Sequence, residues 1–142
     1  MKQCHDLFRV LIAITLPLLL GACKDKSSTS PPAYSDVNTP VTASTLNTFT
    51  YTIHASQFSQ SISQSLTFTS DSLVITLTTS DYTGGQAQIQ VLDSLNATIF
   101  ADTVSSNKVV ALTHLKATMP KSCLVNLTNL SARLTFVLVG ET

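Results

Sequence analysis

Few side chains in this sequence could carry covalent, acid–base or metal chemistry. The thiols are Cys4, Cys23 and Cys123, and the histidines beyond the N-terminal segment are His54 and His114. A metal site or a nucleophile–base pair needs such groups to converge, and the sequence has no HExxH, CxxC or GxSxG motif that would bring them together. Of these residues, only Cys23 lies in a context that predicts a specific modification.

The segment before Cys23 has the three-part layout of a secretory signal peptide. Lys2 and Arg9 supply positive charge, residues 10–20 are apolar apart from one threonine, and two small residues follow. The apolar run is shorter than the roughly 20 residues that a membrane-spanning helix needs. We therefore expect a cleaved signal rather than a permanent span or a core helix.

The residues Leu20-Gly21-Ala22-Cys23 resemble the lipobox of bacterial lipoproteins, in which an aliphatic residue and two small residues precede a cysteine. The resemblance implies that the signal peptidase reads Leu20, Gly21 and Ala22 and removes residues 1–22. It also implies a diacylglyceryl group on the Cys23 sulfur and acylation of the new amine, which together supply the several chains of a firm anchor. Ordinary cleavage nearby, which would leave Cys23 as a plain thiol, is the alternative.

The residues after the lipobox bear on which membrane is involved. Lys24 follows Cys23, whereas aspartate at this position resembles the inner-membrane retention signal of the enterobacterial sorting scheme. This comparison favours the outer membrane of a Gram-negative envelope. Lys24-Asp25 also resembles the charged surface-export tag in lipoproteins of one large Gram-negative group, so the periplasmic and surface faces both stay open.

A polar spacer comes next. Residues 27–44 contain Pro31, Pro32 and Pro40 among many serines and threonines, and such a composition cannot bury enough surface to offset chain entropy. We predict that residues 23–45 are the lipidated cysteine and a flexible tether. Residues 46–142 then form a single domain of ordinary size.

Charge is sparse and balanced. Asp, Glu, Lys and Arg make up 11% of the chain, and the formal net charge is zero. Proteins hold polyanions with a basic field that neutralises phosphates, so we expect no nucleic-acid partner. No residue pattern predicts a cofactor.

Cys123 is the remaining cysteine once Cys4 leaves with the signal and Cys23 is lipidated. No intramolecular disulfide is then available to it. An unpaired cysteine in an oxidising compartment is tolerated when it is buried and behaves as a small hydrophobe. We expect a buried structural thiol, and a catalytic thiol would need a base that the sequence does not place beside it.

Apolar and polar residues alternate through much of the region after residue 45, which predicts strands with one face on a core and one in water. The predicted strands include residues 49–54, 66–69, 73–78, 87–91, 123–127 and 134–138. Predicted turns lie at 70–72 (a tight hairpin), 81–85, 93–96 and 105–107, and Pro120 marks a connection. About eight short strands predict an all-β fold, a small antiparallel β-sandwich of jelly-roll-like kind.

Residues 85–91, 93–96 and 134–139 resemble parts of small bacterial sandwich modules of the pre-peptidase C-terminal kind. In those modules a glycine-led strand and an Asp-containing turn precede a strand, and an alternating strand closes the sheet. Lys121-Ser122-Cys123 stands where the family has a glycine–tyrosine step. The resemblance implies the sandwich fold and no particular activity.

The polar residues of the domain predict no catalytic set and no metal ligands. His54 and His114 are expected to be solvated on the surface. Four carboxylates lie in or near predicted turns, where aspartate bonds to its own local backbone: Asp71, Asp81, Asp93 and Asp102.

Three triplets resemble the Asp-Ser/Thr-aliphatic acceptor of periplasmic O-glycosylation in the same Gram-negative group. They are Asp71-Ser72-Leu73, Asp93-Ser94-Leu95 and Asp102-Thr103-Val104. The resemblance makes Ser72, Ser94 and Thr103 candidate glycosylation sites. Chance occurrence in a β protein rich in serine and threonine is the alternative.

These observations together predict a membrane-anchored envelope lipoprotein with a non-catalytic binding or adhesion module, whose ligand is a glycan or an envelope protein. Two alternatives stay open. One is a structural or accessory lipoprotein that packs on a larger complex. The other is a small hydrolase, which a pocket joining His54 or His114 to a carboxylate and a serine or Cys123 would favour.

Overall fold

The computed structural model describes residues 36–141, which belong to one compact unit. Six strands form one sheet within the described residues: β1 (Val41–Thr45), β2 (Thr48–Ser65), β3 (Ser72–Leu92), β4 (Thr98–Val104), β5 (Lys108–Lys116) and β6 (Ser122–Gly140). All named strands pair antiparallel. The prediction of an antiparallel, sandwich-like all-β domain is confirmed.

No helix of residues 36–141 is long and apolar enough to cross a membrane.

The strand order is β1-β2-β6-β3, and β4 and β5 share the remaining edge of β3. β4 pairs with residues 87–92 of β3, and β5 pairs with residues 72–79. β4 and β5 therefore run one after the other along the same neighbour, separated only by residues 105–107. The predicted break at 105–107 is confirmed.

The strands are fewer and longer than the sequence predicted. The predicted turn at 81–85 lies inside β3, and the predicted strands 123–127 and 134–138 are both parts of β6. Residues 66–70 are not a strand, although Leu66 and Phe68 are buried. Local breaks in alternation were interpreted as turns, whereas β3 and β6 continue through them with a bulge.

The predicted hairpin at residues 70–72 is wrong. β6 lies between β2 and β3 and pairs with both. The connection from β2 to β3 therefore passes the end of β6 instead of making a tight turn. Asn47 organises this end, because its side-chain Oδ1 accepts the backbone N–H of Thr69 at 2.7 Å and its carbonyl accepts the N–H of Gly140 at 2.8 Å.

Bulges interrupt the three long strands at the same level of the sheet. Pairing of β2 with β6 shifts register between Ala55 and Gln60, and pairing of β3 with β6 shifts between Ser80 and Gln86. Bulges bend strands and increase their twist. Four residues at these shifts have a backbone φ in the left-handed region: Gln57 (49°), Asp81 (54°), Gly85 (81°) and Asn129 (46°).

The line of bulges divides the sheet into two halves. The five-stranded half contains β1, β5 and residues 48–55, 72–80 and 130–140. The four-stranded half contains β4 and residues 58–65, 86–92 and 122–128. Inner faces of both halves contribute to one hydrophobic cluster, so the single sheet supplies both layers of the sandwich.

The side chains that fill the core follow the predicted alternation, with a change of phase at the bulges. In β6 the buried side chains are at odd positions up to Leu127 and at even positions from Leu130. One residue added at a bulge moves the next side chains to the other face unless the apolar pattern shifts with it. The sequence shifts its apolar positions by one, and the core stays on one face.

The folded unit begins earlier than predicted. Residues Val41–Thr45, which we assigned to the tether, form β1 and pair with residues 48–52 of β2. All five β1 residues are exposed, so their sequence lacks the apolar alternation that revealed the other strands. The β-branched content of Val41-Thr42-Ala43-Ser44-Thr45 suits pairing on a sheet edge. The predicted tether boundary at Thr45 is therefore wrong.

Candidate functional site

Two adjoining grooves open on the solvent side of the line of bulges. One has a volume of about 380 Å³ and the other about 600 Å³. Gln57, Thr83 and Ser131 line both. We call the combined feature the bend groove, and its principal polar side chains are His54, Gln57, Asp81, Thr83, Asn129 and Ser131.

The bulge of β2 positions Gln57 at the centre of the bend groove. The backbone N–H of Gln57 donates to Ser131 Oγ at 2.8 Å, which ties the bulge of β2 to β6. The backbone N–H of Asn129 donates to Ser59 Oγ at 2.8 Å and ties β6 to β2 in return. The floor of the groove is thus held by side chains that replace lost ladder bonds.

Gly85 allows β3 to pass close to β6 at the same level. An ideal Cβ on Gly85 would lie 2.1 Å from the carbonyl oxygen of Asn129, and the φ of Gly85 is 81°. Only glycine combines this close approach with a left-handed backbone at no steric cost. Neighbouring Gly84 has nothing within 4 Å of such a Cβ.

Residues just before β1 support the outer edge of the bend groove. The side-chain amide of Asn38 donates to the carbonyl of Ser56 at 3.1 Å, and its Oδ1 accepts the N–H of Ser56 at 2.7 Å. The N–H of Asn38 donates to the carbonyl of His54 at 2.8 Å. These bonds hold the chain at 54–56 on the side opposite to β6.

Ionisable side chains border the bend groove in two pairs. Arg133 Nε lies 3.0 Å from Asp81 Oδ2, and both side chains are well exposed. His54 Nδ1 lies 3.9 Å from Asp36 Oδ1. Exposed pairs of this kind contribute little to stability. His54, predicted to be solvated on the surface, is half-buried, with 35% of its side chain exposed.

The bend groove brings His54, Asp81 and Ser131 to the same surface, which the sequence did not predict. Asp81 is paired with Arg133, and Ser131 Oγ accepts the N–H of Gln57. A nucleophile–base pair places the hydroxyl within about 2.6–3.2 Å of the imidazole. The described residues contain no hydrogen bond between Ser131 and His54, so these three residues share a groove without forming that pair.

The remaining polar groups of the bend groove are neutral. The side-chain amide of Gln57 makes no hydrogen bond within the described residues, and Thr83 Oγ1 makes one long bond of 3.4 Å to the carbonyl of Ser131. Amide and hydroxyl groups offer both donors and acceptors. The groove can therefore hydrogen-bond a neutral polar ligand.

Asp93 has a structural role in the described residues. Its Oδ1 accepts the N–H groups of Leu95 and Ala97, both at 2.8 Å, and its Oδ2 accepts Thr118 Oγ1 at 2.9 Å. The backbone bonds from Ala97 and Leu95 hold the pKa of Asp93 below its ordinary value, with a smaller contribution from Thr118. The turn prediction at 93–96 is confirmed.

Asp71 lies in the bend before β3, near a connection as predicted, whereas Asp81 and Asp102 lie within strands. Asp102 lies inside β4, and its Oδ1 accepts a bond from Lys108 Nζ at 2.6 Å. Lys108 also donates to the carbonyl of Thr103 at 3.0 Å, which closes the break between β4 and β5. Asp81 lies at the bulge of β3 rather than in a turn between strands. Cross-strand pairing, which local sequence does not reveal, places both.

The three candidate glycosylation residues differ in exposure. Ser94 is exposed in the β3–β4 turn, and Thr103 is exposed on β4 beside a groove of about 250 Å³. Ser72 is half-buried, and its Oγ donates to Glu141 Oε2 at 2.5 Å. Ser94 and Thr103 are thus the more accessible hydroxyls, while Asp93 beside Ser94 is 7% exposed.

Cys123 is fully buried in β6 and is a free thiol. Burial raises the pKa of the Cys123 thiol to about 12, so the nucleophilic thiolate is scarce near neutral pH. The prediction of a buried thiol is confirmed. His114 lies in β5, which does not pair with β6.

The described residues contain no group of three or more His, Cys, Asp or Glu side chains that could hold a metal ion. The predicted signal-peptidase residues Leu20, Gly21 and Ala22 and the predicted lipidation site Cys23 lie outside the described residues.

Sequence reasoning missed Gln57, Thr83, Asn129 and Ser131 as site residues. A signal for their position exists in the phase of the alternation, because buried residues change from odd to even positions between Leu127 and Leu130. Such a change marks a bulge. What it does not reveal is that bulges of three strands lie side by side.

A comparison with protein-family models and with curated proteins finds no match to this sequence.

Proposed function

We propose that this chain is an envelope lipoprotein, anchored through Cys23 at the outer membrane, whose β domain binds a ligand in the bend groove. The anchor is supported by the order of charged segment, apolar run and Leu20-Gly21-Ala22-Cys23 in the sequence. The binding role is supported by one structural observation. Bulges of β2, β3 and β6 meet at one level and leave adjoining polar grooves of about 380 and 600 Å³.

The chemistry of the bend groove favours a neutral polar ligand. Gln57 and Thr83 offer hydrogen-bonding groups, while Asp81 and Arg133 largely cancel each other's charge at the rim. Binding sites draw specificity from a few convergent polar groups. We propose a glycan or a polar segment of an envelope protein as the ligand, bound without chemical conversion.

The anchor is tested by Cys23→Ala. The wild-type chain is expected in the membrane fraction and to incorporate labelled palmitate, and the variant is expected to lose the label and leave that fraction. Cys123→Ala is the matched control, because it removes the cysteine of the β domain and leaves the lipobox unchanged. A Cys23→Ala chain that stays with the membrane would contradict the proposed anchor.

The groove is tested by Gln57→Gly, which removes the free amide and keeps a residue suited to a φ of 49°. Gln88→Ala, on the exposed face of the four-stranded half, is the control. Envelope glycans on an array and envelope extracts in a pull-down are the probes. Gln57→Gly is expected to lower binding at least tenfold while Gln88→Ala preserves it. Equal binding by both variants, or none by the wild type, would contradict the proposal.

A small hydrolase is the second candidate, favoured by the shared surface of His54, Asp81 and Ser131. Its test is release of p-nitrophenol from acetyl and butyryl esters by the wild type, Ser131→Ala and Thr128→Ala. Turnover that Ser131→Ala abolishes and Thr128→Ala preserves would support this candidate. Equal rates in all three chains would contradict it.

We also propose Ser94 and Thr103 as the preferred glycosylation acceptors if the triplets are used, because both are exposed. Intact mass of the native protein tests this. An excess over the lipidated chain that falls in Ser94→Ala or Thr103→Ala would support the proposal, and a native mass equal to the lipidated polypeptide would contradict it.

A further inference from the structure

One face of the sheet has an unusual composition. Fourteen outward positions of the five-stranded half align in three rows across the strands. The rows are Thr45–Thr48–Val139–Val74, Ala43–Thr50–Val137–Thr76–Ala111 and Val41–Thr52–Thr135–Thr78–Val109. We call these positions the Thr/Val face. Every member is threonine, valine or alanine, and none is charged.

Charged residues begin only at the border of the Thr/Val face. The next row toward the bend contains His54, Arg133 and Ser80. At the flanks of the face, Val41 and Val109 are 64% and 70% exposed. β-branched side chains are restricted at χ1, so ordering them on contact costs little entropy.

We propose that the Thr/Val face is a self-association surface that takes the same face of a second copy. Charged groups at an interface discriminate between partners and fix their register. The Thr/Val face has no charged side chain, so no like-charge repulsion opposes its contact with the same face of a second copy. A twofold contact places identical patches together. The two contacting surfaces therefore have the same mixture of threonine, valine and alanine and the same hydropathy. Two such faces pack as the layers of a sandwich do, about 10 Å apart.

Pairing through the sheet edges competes less well with face packing. β1 is short and follows Pro40, and Asp102 of β4 forms an ion pair with Lys108 of β5. β5 has a register shift opposite Leu73 and Ile75. Short strands, charges, prolines and bulges are the devices that prevent edge-to-edge pairing.

The area of the Thr/Val face sets the expected strength. Strands lie about 4.8 Å apart and alternate residues about 6.7 Å apart, so three rows, one across four strands and two across five, cover roughly 20 Å by 20 Å, or about 400 Å² per copy. A standard stable interface buries about 800 Å² per partner. The contact is therefore weak in solution. Confinement to a membrane raises the effective concentration of the chains. This enrichment rests on the proposed lipid anchor, whereas the composition of the Thr/Val face is independent of the anchor.

The test is sedimentation equilibrium of the full chain in detergent micelles, with energy transfer between labelled chains in phospholipid vesicles. The wild type is expected to show a monomer–dimer equilibrium. Thr52→Lys and Ala43→Lys each place a charge at an exposed position of the face and are expected to raise the dissociation constant at least tenfold. Gln88→Lys adds the same charge to the other half and is expected to leave it unchanged.

Circular dichroism melting of each variant checks that the fold persists, and two face variants on different strands guard against misfolding of one. A wild type that stays monomeric in micelles and in vesicles would overturn the proposal. So would equal effects of Thr52→Lys and Gln88→Lys, or association only with a different protein at this face. If the chain is recovered without lipid, the anchor fails, and sedimentation of that chain still measures self-association.

Discussion

The ring of Phe100 on β4 stacks on the ring of Phe136 on β6, with centroids 6.0 Å apart and an interplanar angle of 17°. Phe100 belongs to the four-stranded half and Phe136 to the five-stranded half. The contact therefore joins the two layers that one bent sheet makes. Phe136 also meets Phe49 at 6.2 Å on its own layer, so it lies at the centre of the core.

Replacing these rings should show that the two layers stabilise each other. Phe100→Ala is expected to lower the free energy of unfolding by about 3 kcal/mol and Phe136→Ala by about 4 kcal/mol, because each leaves a cavity. Urea unfolding of both single variants and the double variant measures the coupling, expected at roughly 0.5–1.5 kcal/mol. Strictly additive losses would mean that the stacked pair contributes nothing beyond burial.

Two adjacent glycines should respond differently to a methyl group. Gly85→Ala is expected to cost roughly 2 kcal/mol or more, because its Cβ collides with the Asn129 carbonyl and φ is 81°. Gly84→Ala is the matched control, since an added Cβ meets nothing within 4 Å, and its change should stay within about 0.5 kcal/mol. Similar losses in both variants would show that the bulge of β3 is not built as described.

Acid should weaken the loop that Asp93 holds. The native pKa of Asp93 is below its ordinary value because backbone N–H groups of Ala97 and Leu95 bond to the carboxylate. A depressed native pKa gives stability that is present above the unfolded pKa, about 3.9, and is lost as the pH falls through the native value. Melting temperatures measured from pH 7 to pH 2 should fall less steeply in Asp93→Asn than in the wild type.

A useful comparison for that experiment is Asp71→Asn, since Asp71 is exposed and lies outside the 93–97 loop. It should follow the wild-type acid profile. If Asp71→Asn and Asp93→Asn flatten the profile equally, the bonds to Asp93 are not its source.

Cys123 should be inert until the domain unfolds. Its side chain is fully buried, and burial raises the pKa of the thiol to about 12. The diacylglyceryl group proposed on the Cys23 sulfur would block that thiol, so Ellman's reagent is expected to label no thiol of the native mature chain and one after unfolding in urea. If Cys123 in the native protein is labelled faster than the domain unfolds, β6 must open locally.

Much of the fold is predictable from the alternation of apolar and polar residues. A strand directs successive side chains to opposite faces. The spacing of Leu73, Ile75 and Leu77 therefore predicts both a strand and the face of it that is buried. All three are fully buried. β1 escaped this reasoning because all of its residues are exposed, and its composition resembles the polar spacer before it.

The bulges are also present in the sequence, in a form that local interpretation misses. Asp81 and Gly85 suit left-handed backbone and were interpreted as a turn between strands. The same conformations occur at a bulge inside one strand. Only pairing with β6 distinguishes the two, because β3 continues on both sides of the shift.

By itself, the sequence determined the all-β class, the buried positions, the buried thiol at Cys123 and the turn at 93–96, because period, size and turn chemistry are local properties. The tertiary structure alone decided that β6 lies between β2 and β3. It thereby aligned Gln57, Thr83 and Ser131 in one groove and the threonines and valines in rows. Strand order and register come from contacts between residues far apart in the chain, and no local pattern encodes which strands meet.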